Sequence, residues 1–301
     1  MKKSFLTVAL TAMTICALAQ PVSAEGSQMT FRFAAEKNAF TTDELADADA
    51  GSSGGLYIDN YTVIAELRMI LCSDAPVTIE DGKFTLDPNN ELDADGNIRH
   101  AFFEAHSTAM YTQKSLIDDD TNIILWAGKE TGQADGFHAN GVIRDASQPF
   151  LRFEYRIPKG TPAGDYVCNI SQDVITNKAG FIEEDLTVSD STHQLEYGKD
   201  FAIQPITFSV YTRGDVNCDG SVSIEDAQSA LNLYVEQGVA AQELSDEAIE
   251  ELVRTKSICA AKYAADASMN GELDTADPQG ILDYYVQSMS GSAVDWNSIY
   301  H

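Results

Sequence analysis

The run Asp215-Val-Asn-Cys-Asp-Gly-Ser-Val-Ser-Ile-Glu-Asp226 decides how the rest of the chain is read. Side-chain oxygens fall at Asp215, Asn217, Asp219 and Ser223, and Asp226 closes the run. Ser221 adds a backbone carbonyl. Gly220 stands where the chain must turn sharply, and glycine turns there without steric cost. Calcium is a hard cation that takes about six to eight oxygens, and a loop of this spacing presents them. Calcium is therefore the expected ligand. Loops of this kind usually end in Glu; here the last residue is the shorter Asp226.

The pattern recurs 51 residues further on, from Asp266 to Asp277. Asp266, Ser268, Asn270, Asp274 and Asp277 offer side-chain oxygens there, and Glu272 stands where Ser221 stood. Gly220, Gln228, Leu231, Tyr234 and Val235 recur as Gly271, Gln279, Leu282, Tyr285 and Val286. One acidic run reads equally well as a solvated turn. A duplicated run, each copy followed by a helical pattern, reads as two calcium loops, one ion in each. Val222 and Leu273, at matching positions, are expected to pair the loops.

Each loop leads into a helix. Ala227, Ala230, Leu231, Tyr234 and Val235 form a helical stripe, with Gly238 as the expected stop. Pro278 suits a first helical position, and Ile281, Leu282, Tyr285, Val286 and Met289 form the second stripe. The residues before the first loop read as a strand. Between the repeats, Ser245 is an N-cap candidate ahead of Asp246 and Glu247. Ile249, Leu252, Val253 and Cys259 keep helical spacing, so an extra helix is expected from about 246 to 263.

A loop–helix repeat ending in Asp, with no helix entering the first loop, resembles the dockerin module of cellulosomes. The resemblance covers residues 212–301, and the extra helix departs from it. It implies a small all-α calcium-binding domain that docks on a cohesin module of another scaffoldin. Dockerin contacts come from the loop end and one face of the following helix. Carried over, they are Ile224, Glu225, Leu231, Asn232 and Glu236 in the first repeat. In the second they are Thr275, Ala276, Leu282, Asp283 and Gln287. Ile224 could instead cover the helix start, and Leu231 and Leu282 could be core.

Residues 1–24 read as a secretory signal peptide: Lys2 and Lys3, an apolar run from Phe5 to Ala19, and small residues before Glu25. The expected location is extracellular, without membrane insertion. A formal charge of −28 repels nucleic acid and anionic membranes. Cys72, Cys168, Cys218 and Cys259 are too few and scattered for a disulfide scaffold. Cys72 and Cys168 read as small buried residues of strands, with a bridge between them as the alternative. Cys218 is given no ligand role.

Residues 25–211 read as an all-β sandwich. Val63, Ala65, Leu67, Met69 and Leu71 alternate with Glu66 and Arg68. Leu151, Phe153, Tyr155 and Ile157 alternate with Arg152, Glu154 and Arg156. Ile123–Trp126 fits a core strand, and Ile206, Phe208 and Val210 end the module. Thr42–Gly55, acidic and then rich in Gly and Ser, reads as a long surface loop with a helical turn at Thr42–Ala48. Leu56–Leu67 and Phe153–Val167, the latter with Pro158, Pro162 and the Ala163-Gly164-Asp165-Tyr166 step, resemble the cohesin family. That resemblance implies a jelly-roll sandwich receiving a dockerin-bearing protein.

His100, Glu104 and His106 share a strand face and read as exposed polar residues rather than a metal site. Asp93–Asn97 and Asp118–Asp120 read as turns. No nucleophile, zinc-protease or phosphate-loop motif is found, so no catalytic residue is expected. The favoured function is a secreted, non-catalytic adaptor scaffoldin of a cellulosome. The alternative makes the first module a carbohydrate-binding or unassigned sandwich whose partner is plant polysaccharide, with Tyr111 and Trp126 as candidate platform residues.

Overall fold

A computed structural model describes residues 28–60, 64, 66–84, 110–114, 122–127, 148–176, 182–190, 192–239, 244–291 and 293–300. Residues 1–24, expected to be a signal peptide, lie outside these, as do Val63, Ala65, the His100–His106 stretch, Asp93–Asn97 and Asp118–Asp120. The chain divides between Val210 and Tyr211 into two compact units.

The first unit begins with strands β1 (Met29–Ala35), β2 (Ala39–Thr41), β3 (Ala50–Asp59), β4 (Glu66–Ser73) and β5 (Thr78–Phe84). Next come β6 (Met110–Lys114), β7 (Asn122–Ala127), β8 (Leu151–Ile157), β9 (Gly164–Ile170) and β10 (Val174–Thr176). The last four are β11 (Ile182–Glu184), β12 (Leu186–Ser189), β13 (Phe201–Gln204) and β14 (Ile206–Tyr211). One sheet has the order β13-β1-β3-β8-β5; the other has β2-β14-β9-β4-β7-β6, with β12 also on β4. β13 joins β1 in parallel, while β3, β8 and β5 follow antiparallel.

The two sheets bury one core between them. β8 turns Leu151, Phe153, Tyr155 and Ile157 inward and Arg152, Glu154 and Arg156 outward. That is the alternation its sequence carries. Leu67, Met69 and Leu71 enter the same core from β4. The Tyr155 and Phe208 rings, 4.5 Å apart, join the sheets. Tyr111 and Trp126 fall on β6 and β7.

Thr42–Gly55 is not the loop its composition suggests. Its second half opens β3, which pairs with β1 on one side and β8 on the other. Its first half makes turns, Leu45 N–H to Thr41 O and Ala46 N–H to Asp43 O, without a helix. The glycines are required by packing. A Cβ on Gly54 would lie 2.3 Å from Tyr155 Cε2 and 2.5 Å from Ala34 O. A Cβ on Gly55 would lie 2.5 Å from Pro149 Cβ.

Cys72 and Cys168 form no disulfide. Cys72 stands opposite Asn169 and Cys168 opposite Ser73, so the pleat turns the two thiols to opposite faces. Cys168 is buried as expected, but Cys72 is exposed.

The second unit holds α1 (Ile224–Leu233), α2 (Asp246–Val253), α3 (Ile258–Ala265) and α4 (Ala276–Ser288). They enclose a separate core around Val216, Ala230, Leu233, Val253, Ala265 and Ile281. Four expectations need correction here. The single helix at about 246–263 is two. α2 ends on Arg254, left-handed at φ 61°, and Ser257 N–H turns to the Thr255 hydroxyl at 3.2 Å. α3 then leads directly into the second loop. Gly238 is no stop, because α1 continues as a π-helical segment, Tyr234–Val239. Pro278 is the third residue of α4 rather than the first. It is tolerated there because first-turn N–H groups have no partner within the helix. The expected core stripe of α4 also stops early: Ile281 is buried, while Val286 and Met289 are exposed.

Candidate calcium loops and docking face

β14 delivers the chain to Asp215, and the first loop closes on carboxylates. Asp215 accepts the N–H groups of Asp219 at 3.1 Å and Gly220 at 2.9 Å. Asp226 reaches back across the loop. Its Oδ1 accepts from Val216 N–H at 2.8 Å and Asn217 N–H at 3.1 Å. Its Oδ2 accepts from the N–H and hydroxyl of Ser223, both at 2.8 Å. Ser223 in turn accepts Glu225 N–H, so loop closure and the N-cap of α1 are one device. Asp219 accepts the Ser221 N–H and hydroxyl and an amide N–H of Asn217.

The second loop repeats this pattern. Asp266 accepts from Asn270 and Gly271, and Asp277 from Ser268 and Asp274. Asn270 accepts from Glu272 N–H at 2.7 Å. The backbone repeats as well. Gly220 and Gly271 hold φ 92° and 84°, in the left-handed region that favours glycine. Val222 and Leu273 are both half-buried against the second core.

Asp215, Asp226 and Asp277 are fully buried. Burial pushes the Asp215 carboxyl up to about 6, with the nearby Asp226 carboxylate adding to the shift against the Gly220 hydrogen bond. Burial also raises Asp277. The Ser221 hydroxyl is the largest cause that lowers Asp219. Taking carboxylates out of water without a cation costs several kcal/mol each, and a cation among them offsets that cost.

Among the described residues, no group of three or more His, Cys, Asp or Glu side chains is gathered as a metal site. The loops therefore have to be judged on all their oxygens, neutral ones included. On that count they fit a hard cation. Asp215, Asn217, Asp219, the Ser221 carbonyl, Ser223 and Asp226 would hold it in the first loop. Asp266, Ser268, Asn270, the Glu272 carbonyl, Asp274 and Asp277 would do so in the second.

The residues carried over as partner contacts lie on the surface. Ile224 and Leu231 are 58% and 45% exposed, outside the second core, and Glu225 is exposed. Thr275, Ala276, Asp283 and Gln287 are exposed too. Leu282 is half-buried against the core, while its counterpart Leu231 is not. Asn232 and Glu236 are half-buried as well.

Two features were not read from the sequence. The first is a C-terminal clasp. Trp296 stacks on Tyr284 at 4.1 Å and lies under the Arg213 guanidinium at 4.9 Å. It leaves no room for a Cβ on Gly214, which would lie 2.7 Å from the indole. Asp295, whose side chain accepts Asn297 N–H, was the available signal for this turn. The second is a groove between α1 and α2, signalled by Leu244, Ala248 and Leu252 at helical spacing.

No protein-family model matches the chain, and no curated protein matches it. Solved structures similar to it are cohesin modules. The third ScaB cohesin of R. flavefaciens, in complex with a group 1 dockerin, is 15% identical, with a TM-score of 0.34 over 63% of this chain and 98% of that one. A type II cohesin domain from the cellulosome of Acetivibrio cellulolyticus is 10% identical, with a TM-score of 0.33 over 60% and 95%. A type III cohesin module from the ScaE cell-surface anchoring scaffoldin of Ruminococcus flavefaciens is 11% identical, with a TM-score of 0.34 over 61% and 87%. Likeness at these scores carries no weight for function.

Proposed function

We propose that the chain is a secreted, non-catalytic adaptor scaffoldin of a cellulosome. Its second unit is a dockerin that binds two calcium ions and docks on a cohesin of another scaffoldin. Its first unit is a cohesin-like sandwich that receives a different dockerin-bearing protein. The adaptor thereby converts one binding specificity into another. One observation carries this: the duplicated loops, closed by buried carboxylates, each launch a helix bearing exposed apolar residues. Leu231 and Val235 are exposed on α1, and Val286 on α4. An apolar side chain left in water on an otherwise acidic surface gains free energy when a partner covers it.

Calorimetry of the full chain against recombinant cohesins of types I, II and III, and separately against dockerins, tests the proposal. Calcium-dependent binding in both assays supports it. No binding by any cohesin, with calcium present, counts against the dockerin half.

A second reading keeps the dockerin and makes the first unit a carbohydrate-binding module. It is favoured by a groove of about 420 Å³ lined by Gln172, Glu184, Gln194 and the half-exposed ring of Tyr197. An open ring beside planar amides and the Glu184 and Glu196 carboxylates suits a sugar face and its hydroxyls. Retention on cellulose or xylan that Tyr197→Ala abolishes would support this reading.

A further inference from the structure

We infer, resting on the docking proposed above, that the groove between α1 and α2 takes a Lys or Arg side chain of the module that docks on α1. The groove is about 380 Å³, within the range of small-ligand sites and ample for one long side chain. Leu244, Ala248 and Leu252 give it an apolar wall, on which an aliphatic stem can lie. Three carboxylates line it: Glu225, Glu236 and Glu251. Its one cation, Arg254, is already paired with Glu225 at 3.0 Å. Glu236 and Glu251 have no ion pair among the described residues, so the groove carries an excess of negative charge open to a cation.

This groove makes the two repeats unequal. Asn232 and Glu236, which line it, are half-buried. Their counterparts Asp283 and Gln287 on α4 are exposed. The insert that supplies α2 follows only the first repeat. A basic side chain entering the groove would therefore fix the docked module on α1 and set its orientation. Long-range attraction would also steer its approach, an effect that salt screens.

The test uses the calcium-loaded full chain and the same cohesins of types I, II and III. Affinity is measured at low and high NaCl for the native chain and for Glu236→Gln/Glu251→Gln. A control, Asp43→Asn/Asp47→Asn, removes the same charge from exposed positions of the first unit. The groove variant is expected to weaken binding about tenfold and to flatten its salt dependence, with the control within about twofold of native. Binding that persists with equal affinity and equal salt slope in both variants would overturn the groove's role and leave the docking intact. If no cohesin binds the native chain, the docking itself falls, and the groove's role with it.

Discussion

Cys218 and Met269 occupy the same place in their two loops and hold the same left-handed backbone, φ 57° and φ 60°. Neither is a residue type that adopts it readily. The duplication therefore extends to backbone conformation, including a local cost that both loops bear. Met269 is more than half exposed, so its side chain contributes little packing. Met269→Asn is expected to stabilise the second unit by about 0.5–1 kcal/mol, because Asn tolerates this region. Met269→Ile, β-branched, is expected to cost about 1 kcal/mol or more. Thermal unfolding of the calcium-loaded chain ranks the two; the reverse order would contradict the shared geometry.

The calcium-free and calcium-loaded proteins should respond to pH in opposite senses. Without calcium the Asp215 carboxyl sits at about 6 in the folded loop, against about 3.9 unfolded. Between those values the folded state binds more protons, so this group makes the chelated fold more stable as pH falls. Calcium requires the ionised carboxylate, so the loaded fold loses stability over the same fall. Melting at about pH 7 and about pH 5, with calcium and with chelator, compares them. Parallel slopes would mean that Asp215 does not face the ion.

Docking is expected to favour one orientation. Ile224 presents an exposed apolar side chain where the second repeat presents Thr275. Ile224→Ala should weaken cohesin binding by about 1–3 kcal/mol, while Thr275→Ala costs little. Two silent single variants with a damaging double variant would show that the repeats substitute for each other.

In the first unit, Gly54→Ala is expected to destabilise by about 1–3 kcal/mol, because the added methyl meets the Tyr155 ring and the Ala34 carbonyl at once. Urea unfolding of the full chain measures it. An unchanged first-unit transition would mean that β3 packs less closely against β8 than described.

How far each part could be read from the sequence follows from what its residues encode locally. The turns of the two acidic loops were legible because the oxygen spacing and the glycine at the turn are both local. β8 was legible because one buried face imposes alternation. β3 was not, because its Gly and Ser residues answer to Tyr155 and Pro149, which lie about a hundred positions away. The break at Arg254 was hidden because neither Gly nor Pro marks it; a left-handed Arg and a local Thr255 bond do the work. The clasp was hidden because Gly214 and Trp296 meet across the whole second unit.

Calorimetric titration of calcium into the chelator-stripped full chain, followed in parallel by the helical circular dichroism signal, tests the central claim most directly. Unpaired extracellular loops bind at roughly 10⁻⁴ to 10⁻³ M, and the paired arrangement should be tighter. The first loop offers the carboxylates of Asp215, Asp219 and Asp226 and the second those of Asp266, Asp274 and Asp277, so charge alone does not set an order of filling. The account predicts two ions per chain, a gain of helix as they bind, and loss of one ion in Asp226→Ala and in Asp277→Ala. No calcium heat, or a helical signal unchanged by calcium and chelator, would contradict it.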